Sequence, residues 1–255
     1  MLKNIIKKIP GSHTAYGFLS GFMRWTRVAG EFSRFKARSL AERPSLVPKW
    51  SERQFFLEDR TAQTPFDRHY IYHTAWALRQ LQKHKPRLHV DIASSLYFVA
   101  LGSAFVPMRH LDYRVPLLAL DNLACDAGDL MSLPFADNSI ESLSCMHVIE
   151  HVGLARYGDP LDPLGDIKAA NELSRVLAHD GRFLFAAPVG RARVCFNGHR
   201  IYSFEMVCEL FRELEIAEWA LIPGEPPDGL VENAAPELIN QQRYGCGCFV
   251  FRKPA

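Results

Sequence analysis

The sequence predicts an α/β fold with a mostly parallel sheet, and two observations carry this prediction. From residue 88 onward, short apolar runs alternate with segments of helical periodicity, which is typical of parallel strands joined by helices. The run at 182–187 is almost entirely apolar, as expected for a central strand that helices cover on both faces. The length of 255 residues allows one large domain or two small ones.

The first residues of the chain show a short amphipathic pattern. Four apolar residues follow helical spacing with lysines between them, and Pro10 and Gly11 end the pattern: Leu2, Ile5, Ile6 and Ile9. Such a segment fits an anionic membrane surface. It equally fits a short helix docked on the body of the protein, or a frayed terminus.

The composition of residues 41–86 predicts where an N-terminal extension ends. Three prolines fall within residues 41–66, so this stretch is expected to be mostly irregular. Asp67 is placed to cap a helix that ends before Pro86. We therefore assign residues 1–85 to a basic, largely helical or irregular extension and residues 86–255 to the α/β domain.

Seven strands are predicted within the α/β domain, and helices separate most of them. A helix is expected after Ser94 or Ser95, another at 167–177 that stops at Asp180 and Gly181, and a third capped by Ser203. The strands are expected at 88–92, 109–113, 123–126, 140–146, 182–187, 215–222 and 247–251.

Charge is unevenly distributed along the chain. The formal net charge is +2, but residues 1–43 hold nine Lys or Arg against two Glu, a net charge of +7 that leaves −5 for the rest. The acidic main body argues against a nucleic-acid partner. For the basic arm, peripheral contact with a membrane surface, contact with an anionic saccharide carrier and a purely structural role all stay open.

The cysteines and the hydropathy predict a cytoplasmic protein. None of the six cysteines forms a C-x-x-C pair, and thiols in apolar segments are typical of reduced, buried cysteines. Cys246 and Cys248 alternate along a predicted strand and would share one face, but the favoured prediction includes no metal site. No apolar run approaches the roughly 20 residues that span a membrane.

Three acidic residues follow successive predicted strands. They are Asp91, Asp112 and Asp129. In an open parallel sheet the ligand crevice lies beyond the carboxyl ends of the strands, and a carboxylate there can accept hydrogen bonds from the two hydroxyls of a ribose. Each Asp taken alone could instead cap a turn or a helix.

At this point the residues resemble a known family. Residues 128–143, GDLMSLPFADNSIESL, are similar to the G-D-x-x-x-L-P-F-x-D-x-S signature of Rossmann-like S-adenosylmethionine-dependent methyltransferases. The segments HVIEHV at 147–152 and ELSRVL at 172–177, followed by Asp180-Gly181, continue that pattern in order and spacing. Residues 91–99 and 193–197 more narrowly resemble an uncharacterised methyltransferase-like family of unknown function. The resemblance covers roughly residues 86–252 and implies a mostly parallel, seven-stranded sheet flanked by helices.

The resemblance implies S-adenosylmethionine as cofactor and assigns residues to it. Asp91 would open the cofactor loop, Asp112 with Tyr113 would hold the ribose, and Asp129 with Leu130 would meet the adenine. Met146 and His147 would line the methionine end or the mouth of the substrate site. The family's first loop is usually D/E-x-G-x-G-x-G, whereas here residues 91–97 read DIASSLY and no glycine occurs before Gly102. Ala93, Ser94 and Ser95 would form the cofactor loop, where the two small serines could donate hydrogen bonds.

Residues after the fourth and fifth strands are candidates for catalysis and substrate binding. His147 and His199 could act as general bases, since the ordinary pKa of histidine lies near neutrality. The substrate candidates are Glu150, His151, Arg193, Asn197 and Arg200. The segment from His147 to His151 also matches the H-x-x-E-H of certain zinc peptidases, which requires a helix that the strand pattern does not support.

The sequence thus predicts S-adenosylmethionine-dependent methyl transfer to a small-molecule or saccharide acceptor. The alternative is a non-catalytic relative in binding or assembly, with a degenerate cofactor loop.

Overall fold

A computed structural model describes residues 12–226 and 229–255. The amphipathic pattern predicted at residues 2–9 lies outside the described residues. The chain divides into two compact units, Met1–Pro65 and Phe66–Ala255. This division lies twenty residues before the predicted one, so the helix that Asp67 caps belongs to the second unit rather than to the extension.

The first unit contains one long helix, α1 (Ser12–Glu42), and a short 3₁₀ helix, Trp50–Glu52. Aromatic rings from both stretches form a small cluster: Trp25, Phe32, Trp50 and Phe55, with ring centroids 5.2–6.5 Å apart. Ion pairs between Arg24 and Glu58 and between Arg60 and Glu31 link α1 to the irregular segment after it. The helical and irregular character predicted for this part of the chain is present.

The second unit is built on a mostly parallel sheet. Its helices are α2 (Arg68–His84), α3 (Leu96–Gly102), α4 (Gly165–Val176), α5 (Phe204–Leu210) and α6 (Pro236–Gln241). Its strands are β1 (His89–Ile92), β2 (Met108–Asp112), β3 (Leu123–Ala127), β4 (Ile140–Met146), β5 (Leu177–Val189), β6 (Arg193–Cys195), β7 (His199–Ile201), β8 (Glu215–Ile222), β9 (Val231–Glu232) and β10 (Gly245–Arg252).

The order of strands in the main sheet is β3-β2-β1-β4-β5-β10-β8-β9. The pairs from β3 to β5 are parallel, and β10 runs antiparallel between β5 and β8. The described sheet has eight strands rather than the predicted seven, because the two-residue strand β9 pairs with β8. Two residues are too few to show any periodicity in a sequence. The hairpin of β6 and β7 lies outside this sheet.

Alternating side chains of the central strands pack into two apolar layers. On β5, Phe183 and Phe185 belong to one buried cluster, while Leu184 and Ala186 belong to the other. This is the twofold alternation of a strand that is covered on both faces. In the second cluster, Trp76 and the rest of the inner face of α2 pack against the sheet.

Predicted caps fall where the sequence placed them. Asp67 accepts a hydrogen bond from the backbone N–H of Tyr70 at 3.2 Å, Ser95 one from Tyr97 at 3.3 Å, and Ser203 one from Met206 at 3.2 Å. The H-x-x-E-H segment is not an α-helix, since only a three-residue 3₁₀ helix, Ile149–His151, forms there. All six cysteines are free. Among the described helices, none has the length and apolarity needed to cross a membrane.

Candidate active site

The carboxyl ends of β1 to β4 border a cavity of about 220 Å³. Because β1 lies between β2 and β4, the strand order reverses here, which is where open α/β sheets bind ligands. Ten of the residues predicted from sequence line this cavity: Ala93, Ser94, Ser95, Asp112, Tyr113, Asp129, Leu130, Met146, His147 and His151. The fold thus brings together residues that are up to 58 positions apart in the chain.

Asp91 does not line the cavity but holds the loop after β1, which does. Its side chain is fully buried, and its Oδ2 accepts a hydrogen bond from the backbone N–H of Ser94 at 3.1 Å and lies 2.8 Å from His110 Nδ1. Ser144 on β4 donates to the other carboxylate oxygen. Asp91 therefore fixes the loop after β1 to the two neighbouring strands.

The loop after β1 makes a tight turn without glycine. Ala93 has a φ of +53°, a left-handed conformation that glycine adopts at no steric cost and alanine adopts with some strain. The backbone N–H of Ala93 donates to the carbonyl of Leu111 at 2.8 Å, and Ser94 Oγ accepts from the backbone N–H of Met146 at 3.0 Å. These bonds hold the turn in place between β2 and β4.

Asp112 and Asp129 face the cavity from neighbouring strand ends. Asp112 Oδ1 accepts from the backbone N–H of Arg114 at 2.8 Å, and Asp129 Oδ1 accepts from that of Met131 at 2.9 Å. In both carboxylates one oxygen thus anchors the local turn. The second oxygen of each can accept a hydrogen bond from a ligand in the cavity.

His147 uses both of its ring nitrogens within the protein. Its Nδ1 lies 3.0 Å from Glu150 Oε1, and its Nε2 lies 3.3 Å from Cys246 Sγ. Glu150 itself is fully buried and does not line the cavity. A general base needs a ring nitrogen that is free to take a proton from a ligand. Both ring nitrogens of His147 already have partners within the protein.

His151 is better placed to accept a proton. Its Nδ1 lies 2.6 Å from the carbonyl oxygen of Gly198 and 3.1 Å from a guanidinium nitrogen of Arg156. When Nδ1 donates to the carbonyl, Nε2 keeps its lone pair. Burial lowers the pKa of His151 below its ordinary value, against the raising effect of Glu150. The imidazole of His151 therefore lies on the wall of the cavity, with Nε2 3.6 Å from Glu150 Oε1.

The other predicted residues after β5 lie outside the cavity lining. Arg200 is buried and donates to the carbonyl of Val152 at 2.7 Å, with its Nε 3.4 Å from Asp166. Arg193 donates to two backbone carbonyls, and Asn197 is exposed. The ring of His199 lies 6.5 Å from that of His151. The hairpin of β6 and β7 contacts the site through the carbonyl of Gly198, which lies against His151 Nδ1.

Several lining residues carry no sequence signal of their own. Tyr70 lies on α2, and its ring stacks 5.4 Å from the ring of His147. Tyr157 lies in the long segment after β4, with the Arg114 guanidinium 4.7 Å from its ring centroid. Neither residue belongs to a motif, and only the fold shows that they form the outer walls of the cavity.

Comparisons with known proteins place the fold. A model of the family described as "Caenorhabditis protein of unknown function, DUF268" matches residues 135–219. No curated protein matches the chain. Among solved structures, the YcgJ protein of Bacillus subtilis superposes with a TM-score of 0.51 at 15% identity, over 72% of this chain and 99% of that one.

A second solved structure is an enzyme with its ligands bound. It is the 1,6-didemethyltoxoflavin-N1-methyltransferase of Burkholderia thailandensis, with 1,6-didemethyltoxoflavin and S-adenosylhomocysteine. The TM-score is 0.50 at 12% identity, over 72% of this chain and 79% of that one. At these identities the likeness shows the fold, which agrees with the predicted one.

Proposed function

We propose that this chain, which has the fold of the S-adenosylmethionine-dependent methyltransferases, binds S-adenosylmethionine and transfers its methyl group to a small-molecule or saccharide acceptor. One observation carries the proposal. Asp112, Asp129 and the turn at 93–95 line one cavity at the point where the strand order reverses. The bound cofactor would supply an electrophilic methyl group on a sulfonium.

The residues present fit such a cofactor. Asp112, at the end of β2, would accept hydrogen bonds from the two ribose hydroxyls, and Asp129 would accept one from the adenine amine. Ala93 is small and only partly exposed at the turn, so its methyl group takes little space beside the methionine end. Ser94 Oγ and Ser95 Oγ accept hydrogen bonds from the backbone N–H groups of Met146 and Tyr97, which fixes the orientation of both side chains in the cavity wall.

Alignment of the acceptor is the main task left to the protein. Tyr70 and Tyr157 would enclose an acceptor at the open side of the cavity, where flat rings provide apolar area without a charge. For an oxygen acceptor, we propose His151 as the base that takes the proton on Nε2, with His147 as a positioning residue. His199 is not part of the lining.

The first experiment is calorimetric titration of the purified chain with S-adenosylmethionine and S-adenosylhomocysteine. We expect micromolar binding of both. A hydrogen bond to a charged group contributes about 1.5–3 kcal/mol, so Asp112→Ala and Asp129→Ala should each weaken binding by roughly 10- to 150-fold. Asp121→Ala is the matched control, because Asp121 is exposed and does not line the cavity.

No binding to folded protein that is free of carried-over ligand would refute the proposal. Equal affinity of Asp112→Ala and Asp121→Ala would refute the assigned site even if binding occurs. Screening of acceptors follows only after the cofactor site has passed both tests.

The alternative, a non-catalytic relative, is favoured by one observation, the left-handed turn at Ala93. If this turn is impaired for cofactor binding, Ala93→Gly should raise the affinity for S-adenosylhomocysteine more than about tenfold. Under the proposed function the native turn is competent, and we expect a change of less than about threefold. The same titration therefore separates the two functions.

A further inference from the structure

Three side chains that commonly bind transition metals meet beside the cavity, and a fourth, His73, lies next to them. His69 and His73 lie one helical turn apart on α2, His147 directly follows β4, and Cys246 lies at the start of β10. All four side chains are buried. Ligand atoms of His69, His147 and Cys246 lie within 4.8 Å of one another. We refer to these four residues as the His/Cys cluster.

Hydrogen bonds orient two of the histidines for metal binding. His147 Nδ1 contacts the Glu150 carboxylate, which leaves Nε2 facing Cys246 Sγ at 3.3 Å. His69 donates to the backbone carbonyl of Tyr244, which leaves its second nitrogen without that bond. Histidines that bind metals almost always donate their other ring N–H to a carboxylate or a backbone carbonyl in this way.

The unpaired ring nitrogens of His73 independently indicate that a ligand binds here. Its side chain is completely buried, and neither ring nitrogen has a hydrogen-bond partner among the described residues. Its ring centroid lies 5.1 Å from that of His147. A buried polar group without a partner costs about 1–3 kcal/mol, and a cation bound at one of the two nitrogens would remove the part of this cost that belongs to that nitrogen.

The charges of the surroundings also suit a cation. Neutral imidazole nitrogens can donate lone pairs to a cation, and a cysteine binds it as the thiolate. A divalent ion with one thiolate carries a net charge of +1, and the fully buried Glu150 carboxylate behind His147 would balance it.

We propose that His69, His73, His147 and Cys246 bind one Zn²⁺ in a tetrahedral site that joins α2 to the ends of β4 and β10. Zinc prefers four nitrogen and sulfur ligands, with Zn–N of about 2.0–2.1 Å and Zn–S of about 2.3 Å. In a tetrahedron these lengths place nitrogen and sulfur about 3.5 Å apart, close to the 3.3 Å between His147 Nε2 and Cys246 Sγ.

Binding would displace the thiol proton to solvent and leave all four positions filled by protein. Such a closed site stabilises the fold and does not activate a water molecule. The ion would fix His147, and with it the wall of the cavity that His147 lines. The proposal does not depend on methyl transfer and can hold or fail independently of it.

The test uses the full chain without a histidine tag, stripped by a chelator and reloaded with Zn²⁺ or Co²⁺. We expect one zinc per chain by elemental analysis and a higher melting temperature than that of the stripped protein. With Co²⁺ we expect a thiolate-to-cobalt charge-transfer band together with the intense visible bands of tetrahedral cobalt, and zinc should displace both. Absence of the charge-transfer band in folded wild-type protein would overturn the proposal.

Variants assign the ligands. Cys246→Ala should abolish the charge-transfer band, and His73→Gln should weaken zinc binding by about 100-fold or more. Cys145→Ala is the matched control, since Cys145 is also fully buried and free but lies in the other apolar layer. Equal zinc content in Cys246→Ala and Cys145→Ala would show that binding occurs elsewhere and would overturn the site.

Discussion

His110 joins two of the carboxylates that build the cavity, although no motif marks it. It lies in the middle of β2 and is fully buried, with Nδ1 2.8 Å from Asp91 and Nε2 3.9 Å from Asp112. Burial disfavours its charged form, but the hydrogen bond and charge of Asp91, with the charge of Asp112, raise the pKa of His110 above 6.5. The two carboxylates thus favour the charged form of the buried His110.

The raised pKa predicts the direction of a pH effect on stability. The folded state binds the His110 proton more tightly than the unfolded state does, so this contribution is complete below pH 6.5 and is lost as pH rises through the folded-state pKa. The free energy of unfolding of wild type, minus that of His110→Gln, should therefore decrease between about pH 6 and pH 9. Urea unfolding of both proteins across this range measures the difference. A difference that is constant or grows with pH would contradict the prediction.

At the residue scale, the sequence singled out two acidic residues that line the cavity, but not the residues around them. Asp112 and Asp129 were found because they follow strands, and a strand end is visible in the hydrophobic pattern. Tyr70 and His110 were missed because a lone aromatic residue or histidine in an apolar segment usually indicates core packing. The predicted catalytic role of His147 stays a prediction, but its two occupied nitrogens favour a positioning role.

Among the elements, the end of α4 fixes the loop that carries Asp129. The Arg175 guanidinium donates to both carboxylate oxygens of Glu172, at 2.7 and 2.8 Å. It also donates to Asp137 Oδ1 at 2.7 Å, to the carbonyl of Phe135 at 2.9 Å and to that of Leu133 at 3.2 Å. The family resemblance identified this arginine, and only the contacts show that it holds the loop between β3 and β4 against the helix.

Lysine cannot reproduce this planar set of five hydrogen bonds. We expect Arg175→Lys to lower the free energy of unfolding by about 1–3 kcal/mol and to weaken S-adenosylhomocysteine binding, because the loop before β4 would loosen. Arg212→Lys is the control, because Arg212 and its ion-pair partner Glu209 are both exposed. For this variant we expect the free energy of unfolding to change by no more than about 0.5 kcal/mol. Chemical denaturation tests both, and equal losses would contradict the assigned role of Arg175.

The helix α1 is the element to which the predicted membrane contact applies. Phe18 and Phe22 are exposed on it, together with four basic residues: Arg27, Arg34, Lys36 and Arg38. Apolar and basic side chains on one helix are typical of segments that bind anionic lipid surfaces. The membrane contact of this arm stays a prediction, since the same residues would suit other anionic partners.

Vesicle co-sedimentation tests this prediction. We expect binding to anionic vesicles that weakens with salt, and no binding to neutral ones. Each basic residue near such a surface contributes about 1 kcal/mol, so the triple change Arg34→Gln, Lys36→Gln, Arg38→Gln should weaken binding by about 100-fold. The control changes three basic residues of the second unit, Arg87→Gln, Arg191→Gln and Arg212→Gln. Equal weakening by both sets would exclude a specific role for α1.

For the whole molecule, the sequence predicted the order of strands and helices well, while the predicted boundary after residue 85 differs from the division of the structure after Pro65. The alternation of apolar runs begins only at residue 88, so α2 carries no pattern that connects it to the sheet. In the structure Trp76, Ala77 and Leu81 of this helix are buried in the same layer as Phe98 and Met146. The place of α2 depends on packing between segments that are distant in the chain. The periodicity within one short segment carries no information about such packing.

This packing predicts opposite behaviour for two shortened chains. Residues 66–255 hold both apolar layers and every residue that lines the cavity, so this fragment should unfold cooperatively and bind S-adenosylhomocysteine like the full chain. Residues 86–255 lack α2, so one face of the sheet would be exposed and Tyr70 would be lost from the cavity. We expect that fragment to be aggregated or molten, with exposed apolar surface that binds a hydrophobic dye. Thermal unfolding and titration of both fragments decide the matter, and a stable, binding-competent 86–255 fragment would show that α2 belongs to the extension after all.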